Sequence, residues 1–252
     1  MTEVSPSKAV STHKSEIQAS RFLRTALGHI PPDQLTTRMV YEYLDIRSEN
    51  APVRANREIA LLSHMYKKAI RWGAAEINPV LGVERNKEKP RERYITDSEL
   101  LNFKSICPIW LGLYCDLKLL IGLRQTDMLV LNWQQLDEQG ISITVSKTGK
   151  RVIYEWTPAL KEVVRKIRQL PKPIAGLTLF HNRLGQAYTP DGFRTIFHRY
   201  MQKALKQNLL VETFQERDIR AKAASDSESL SIAAGLLTHS DSKVTERHYR
   251  RK

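Results

Sequence analysis

Between Ile109 and Leu123 the chain is apolar at almost every position: Ile109, Trp110, Leu111, Leu113, Tyr114, Leu117, Leu119, Leu120 and Ile121. A helix that is apolar on most sides must be buried by other elements, so this stretch predicts a core helix wrapped by the rest of a domain. Asp116 and Lys118 interrupt the run, and it falls short of the roughly 20 apolar residues of a membrane span. It ends in Gly122-Leu123-Arg124, with Asp127 three residues further on. An arginine emerging from a buried helix needs a carboxylate or a bound anion. The sequence leaves both open, as an ion pair with Asp127 or as an anion site.

The flanking sequence divides the chain. Residues 84–92, part of Glu84-Arg85-Asn86-Lys87-Glu88-Lys89-Pro90-Arg91-Glu92-Arg93, are charged and carry no apolar spacing, which predicts a linker. Residues 1–15, rich in Ser, Thr, Lys and Pro, read as a loose N-terminus. Residues 16–83 have helical patterning. Ile17, Phe22, Leu23 and Ala26 make a short stripe ending near Gly28; Leu35 to Leu44 follows with Thr36 or Thr37 as its cap; Val53 to Trp72 is stopped by Gly73. The third of these carries Arg54, Arg57, Lys67, Lys68 and Arg71 on its other face, either as a solvated surface or as phosphate contacts.

Residues 93–252 mix helices with a hairpin. Thr96 and Glu99 form a capping box at a helix start. Ile141 to Val145 and Val152 to Trp156 alternate across a turn holding Ser146-Lys147-Thr148-Gly149-Lys150-Arg151. A helix over Ala159 to Leu170, a short strand at Thr178-Leu179-Phe180, and a helix from Thr189-Pro190 to about Lys206 complete the pattern. No repeat and no Gly-rich phosphate loop occurs, which argues against a nucleotide-dependent enzyme.

The formal net charge of +13 points to a polyanionic partner, with nucleic acid foremost, or to a generic basic surface, and the charge alone leaves both open. Cys107 and Cys115 are too few for a disulfide framework and lie in no zinc-finger spacing, which fits a reducing compartment. Near the chain's end stand Arg217-Asp218-Ile219-Arg220, Leu237-Thr238-His239-Ser240, and Arg247-His248-Tyr249-Arg250. Two arginines, a histidine and a tyrosine are the parts for attacking a phosphodiester with a phenol. A phenol is a weak nucleophile that needs neighbouring cations to neutralise the phosphate, and arginine's forked donors suit two phosphate oxygens.

Taken in order, Arg124, Lys147, Arg217-x-x-Arg220, His239 and Tyr249 resemble the tyrosine recombinases, the phage-integrase family of site-specific DNA recombinases. Gly122 to Leu129 with Leu131 and Trp133 is similar to the family's first arginine box, Ser146 to Lys150 to its hairpin, and Ala233 to Ser240 with Arg247 to Arg250 to its second box. Arg57 to Ser63, Trp72-Gly73 and Asn78-Pro79 resemble its helical core-binding domain. The resemblance implies an α-helical N-terminal core-binding domain over residues 16–83 and a mixed α+β catalytic domain of the tyrosine recombinase type over residues 93–252, closing as a clamp on duplex DNA. It implies that Tyr249 attacks the scissile phosphate to give a 3′-phosphotyrosyl link. Arg124 and Arg220 would hold the non-bridging oxygens, Lys147 protonate the leaving 5′-oxygen, and His239 bond the phosphate or help deprotonate the tyrosine. No cofactor, ATP or metal is implied. The expected partners are double-stranded attachment sites, further copies of the chain in a tetramer, and a DNA-bending accessory protein, in the cytoplasm and nucleoid of a bacterial host.

The chain departs from the family pattern in three places. Arg217 stands where histidine or lysine is usual, and can act only electrostatically because it stays protonated. Thr238 stands where glycine is usual. Tyr249 follows His239 by ten residues where nine is commoner, which puts His248 beside the nucleophile's slot. The short ends suggest a short or truncated integrase. The alternatives are a truncated, inactive prophage integrase that only binds DNA, and a type IB topoisomerase sharing the same chemistry.

Overall fold

The computed structural model describes residues 4–171, 174–238, 242–249 and 251. The chain divides into two compact units, Met1–Lys89 and Pro90–Lys252. Among the described residues no helix is long and apolar enough to cross a membrane.

The first unit is built from α1 (Val10–Leu27), α2 (Thr37–Ser48) and α3 (Pro52–Arg71). Leu23, Val40, Leu44, Ile59 and Leu62 are buried between them. Thr36 caps α2 by accepting from the Met39 amide at 3.3 Å, as its sequence position predicts. Glu58 is buried on α3, where Tyr43 Oη donates to it at 2.7 Å and Arg47 Nε at 3.0 Å. Of the loose N-terminus expected over residues 1–15, residues 1–3 lie outside the described residues; beyond them α1 begins at Val10, and a 3-10 turn at Ser5–Ser7 precedes it. Polar bonds rather than an apolar stripe hold this end, since Ser5 Oγ donates to Glu16 at 2.5 Å and Lys8 pairs with the same carboxylate.

The charged segment is fastened at both ends. Asn86 N donates to Asn56 Oδ1 at 2.9 Å and Glu88 accepts from Asn56 and Arg57, both in the first unit. In the second unit Arg91 meets the Asp218 carboxylate at 2.9 Å, and Arg93 pairs with Glu99.

In the second unit α4 (Asp97–Ile106) starts at the expected Thr96–Glu99 capping box. The core helix α5 (Ile109–Ile121) is buried at Leu111, Tyr114, Leu117 and Ile121. Around it lie α6 (Gln125–Val130), α7 (Pro158–Arg168), α8 (Pro190–Lys206) and α9 (Glu216–Ser225), followed by α10 (Leu230–Leu236) and α11 (Ser242–Tyr249). Aromatic rings of α4, α5 and α8 close the core, with Phe103 and Phe197 centroids 4.9 Å apart and Tyr114 and Phe193 at 4.5 Å. The hairpin pairs β1 (Gly140–Thr144) with β2 (Arg151–Glu155) antiparallel, Ile141 opposite Tyr154 and Ile143 opposite Val152.

One expectation is corrected here and one element is added. Thr178-Leu179-Phe180 forms no strand: Thr178 makes one isolated bridge with Asn132, and the Leu179 amide donates to Leu131 O at 2.8 Å. Its neighbour turns into a 3-10 helix at Trp133–Gln135, so no ladder can extend. The sequence also gave no sign of α6, which at six residues is too short for a helical period to register.

Candidate active site

The C-terminal end of α5 leaves backbone carbonyls without helical partners. Arg220, on α9 and 2 % exposed, supplies one bond: its Nη1 donates to Gly122 O. Its Nη2 donates to Leu237 O at 2.7 Å, so one guanidinium ties the end of α5 to the end of α10. Gly122 is required at this junction. Its φ is +56°, and a Cβ there would lie 2.9 Å from Leu237 Cδ2.

Two residues on, Arg124 is the N-cap residue of α6 and is half-buried. Its Nη1 is buried, and among the described residues its side chain has no hydrogen-bond or ion-pair partner. The ion pair with Asp127 left open by the sequence does not form. Asp127 instead accepts from the Ser146 amide at 3.1 Å, and its other carboxylate oxygen is buried without a partner among the described residues.

Tyr249 ends α11. The Arg220 Cζ lies 5.3 Å from the centroid of its ring, which packs on Ala224, Ala233 and Leu237. Burial pushes the Arg220 pKa down; Tyr249, partly by a side-chain hydrogen bond, pushes it up, and the Arg124 charge pushes it down again. These three side chains therefore share one electrostatic neighbourhood. The chain beyond the tyrosine is fastened too: Ser225 Oγ donates to Tyr249 O at 3.0 Å and accepts from the Arg251 amide at 2.8 Å. Arg251 Nη1 reaches Asp218 Oδ1 at 2.7 Å. Burial alone would raise the Asp218 pKa, but hydrogen bonds from Arg91 and Arg251 hold it below the usual carboxylate range. His248, the neighbour in sequence, is exposed.

The remaining candidates stand apart. Lys147 is exposed in the hairpin turn, with no hydrogen-bond or ion-pair partner among the described residues, while its neighbour Ser146 is bonded to Asp127 on α6. Arg217 is exposed at the start of α9, lining a cleft of 680 Å³ with Gln125, His198 and Gln202. His239 lies outside the described residues. Among the described residues no His, Cys, Asp and Glu group is arranged to hold a metal ion.

Sequence reading missed the ties behind the two arginines. Lys118 Nζ pairs with Glu216 and donates to Leu123 O at 2.9 Å. The signal was present, since a lysine in the middle of a buried apolar helix must have a partner. The partner, 98 positions away, was not in any local pattern.

Thr238, at the position where the family usually has glycine, adopts φ +58° and is 4 % exposed, with its Oγ1 buried and unpartnered among the described residues. A β-branched residue in the left-handed region is strained. Thr238→Gly is expected to stabilise the protein by about 1 kcal/mol, raising the unfolding midpoint by roughly 2–4 °C. Calorimetry checks this, and a lowered midpoint would count against strain at this position.

No protein-family model matches the chain. It is 24% identical over 260 residues to the integrase of Enterobacteria phage 434, a match covering 96% of this chain and 70% of the relative. The Escherichia phage lambda integrase is 26% identical over 152 residues, 58% of this chain, so the match spans only 41% of that relative. The fold superposes on a lambda integrase dimer bound to a COC′ core site with TM-score 0.83 and 21% identity, covering 98% of this chain and 90% of that one. For a lambda integrase tetramer bound to a Holliday junction the TM-score is 0.82 at 20% identity, covering 97% and 73%. These matches bear out the resemblance drawn from the sequence.

Proposed function

Because the chain is a relative of the phage integrases, the tyrosine recombinases, we propose that it is a site-specific DNA recombinase of mobile-element integration and excision, cleaving and rejoining strands through a phosphotyrosyl link. One observation carries this reading above the others: the Arg220 guanidinium lies against the ring of Tyr249 and feels the charge of Arg124, which keeps a buried donor without a partner among the described residues. Two arginines with a phenol beside one of them suit a phosphodiester. The net charge of +13 and the DNA-bound states of the relatives point to the same substrate.

In this mechanism the Tyr249 oxygen attacks phosphorus as its proton leaves, with His239 as the acceptor that the family resemblance implies. The bond to the 5′-oxygen breaks and Lys147 supplies the proton that this oxygen takes up. Arg124 and Arg220 donate to the non-bridging oxygens, where charge builds in the pentavalent transition state. The phosphotyrosyl ester conserves the energy of the broken bond, so rejoining requires only attack by a second 5′-hydroxyl. Lys147 sits in an exposed turn, and closing on DNA would bring it to the leaving oxygen. Residues 16–83 would grip the core site with the basic face of α3, residues 93–252 would cleave, and a tetramer would bridge two sites, helped by a DNA-bending protein in a bacterial cytoplasm.

The test uses nicked duplexes with a randomised core, from which the 5′-hydroxyl fragment escapes after cleavage. A covalent protein–DNA adduct on a denaturing gel is expected. Binding should weaken about 10³-fold or more between 50 and 200 mM salt if at least six phosphates are contacted. Salt-sensitive binding with no adduct from any core sequence would overturn the recombinase reading.

A further inference from the structure

We propose that Lys118 and Glu216 are positioning residues for the two active-site arginines, fixing the backbone that carries both through one buried ion pair. The proposal rests on the recombinase reading for its consequence in catalysis, though its geometric content stands apart from it. Lys118 lies on the buried face of α5 with its side chain 1% exposed, and Glu216 is the first residue of α9, its side chain 10% exposed. The Lys118 ammonium pairs with Glu216 and donates to Leu123 O at 2.9 Å; Tyr114 Oη donates to the same Glu216 oxygen. Leu123 immediately precedes Arg124. Glu216 stands one helical turn before Arg220, whose own guanidinium donates to Gly122 O. The pair thus pins the residue before one arginine to the helix turn before the other.

Stability does not explain such a pair. Desolvating two charges offsets most of their attraction, and apolar side chains of similar volume commonly stabilise a fold as well or better. Geometry explains it. Two guanidiniums serving one phosphate must keep their spacing, and a misplacement of about 1 Å costs on the order of 10²-fold in rate. Apolar packing alone leaves α9 free to slide or rotate slightly against α5, whereas an ion pair that also bonds a backbone carbonyl does not. Burial pushes the Lys118 pKa down and Glu216 pushes it back up.

The deciding variant is the double replacement Lys118→Met with Glu216→Leu, compared with Glu216→Gln, which keeps the shape and removes the charge. Four quantities are read: unfolding midpoint, DNA dissociation constant, single-turnover adduct rate, and hydrogen exchange of the Arg220 guanidinium by nitrogen-15 NMR. The double variant is expected to unfold at the wild-type temperature or above and to bind DNA within about twofold. Its adduct rate should fall between about 10- and 100-fold, and Arg220 N–H exchange should accelerate. Glu216→Gln should lie between, and it carries the test should the double variant not fold. An unchanged adduct rate in a folded variant overturns the proposal. Should the wild type form no adduct, the recombinase reading fails by itself, and the exchange decides alone: protection of Arg220 unchanged in the variants overturns positioning, and its loss supports it.

Discussion

Tyr249→Phe is expected to form no covalent complex with a nicked core-site duplex while still binding it. The substitution removes only the hydroxyl. The ring that packs on Ala224, Ala233 and Leu237 remains, as does the face toward the Arg220 guanidinium, so the fold and the charged pocket should persist. Loss of a nucleophile costs on the order of 10⁴-fold or more, below the detection limit of a gel. His248→Ala is the matched control, because His248 stands nine residues after His239, the commoner spacing in the family. It is exposed on α11 and should cleave at the wild-type rate. The unusual ten-residue spacing from His239 is then without consequence, since α11 presents Tyr249 and not His248 to Arg220. An adduct that persists in Tyr249→Phe, mapped by peptide sequencing, would assign the nucleophile elsewhere.

Features written in short-range patterns were legible in the sequence. Thr96 and Glu99 cap α4 because the motif contains both partners; α5 is buried because its apolar residues leave no polar face; the hairpin forms across a turn that holds Gly149 at φ +68°. Arg124 was legible as a residue needing an anion or a carboxylate; that the Asp127 carboxylate accepts from the Ser146 amide and forms no ion pair with it was not. Illegible were the links made across the fold. Lys118 with Glu216, Arg91 and Arg251 with Asp218, and Ser225 with the backbone around Tyr249 each join segments that no local period relates. The helical start at Val10 was hidden for a different reason: its first turns face solvent and carry no stripe, and polar bonds around Glu16 hold them. These long-range polar ties are what turn a set of motif residues into a geometry.

The two arginines are expected to respond in opposite ways to removal, although both should be indispensable for cleavage. Arg124 has no hydrogen-bond or ion-pair partner among the described residues, and its buried Nη1 is an uncompensated donor. Arg124→Ala therefore removes a buried unsatisfied donor, and the fold should keep its stability within about 0.5 kcal/mol or gain slightly. Cleavage should nevertheless fall on the order of 10³-fold, the effect of losing one preorganised donor to the transition state. Arg220 is bound into the fold at Gly122 O and Leu237 O. Arg220→Ala leaves those two carbonyls unsatisfied and opens a cavity where α5, α9 and α10 meet, which should cost about 3 kcal/mol in addition to the loss of cleavage. Denaturant melts and single-turnover adduct rates on the same preparations separate the two effects. A strongly destabilised Arg124→Ala would mean that this side chain supports the fold after all, and the case for an anion site between the arginines would fall with it.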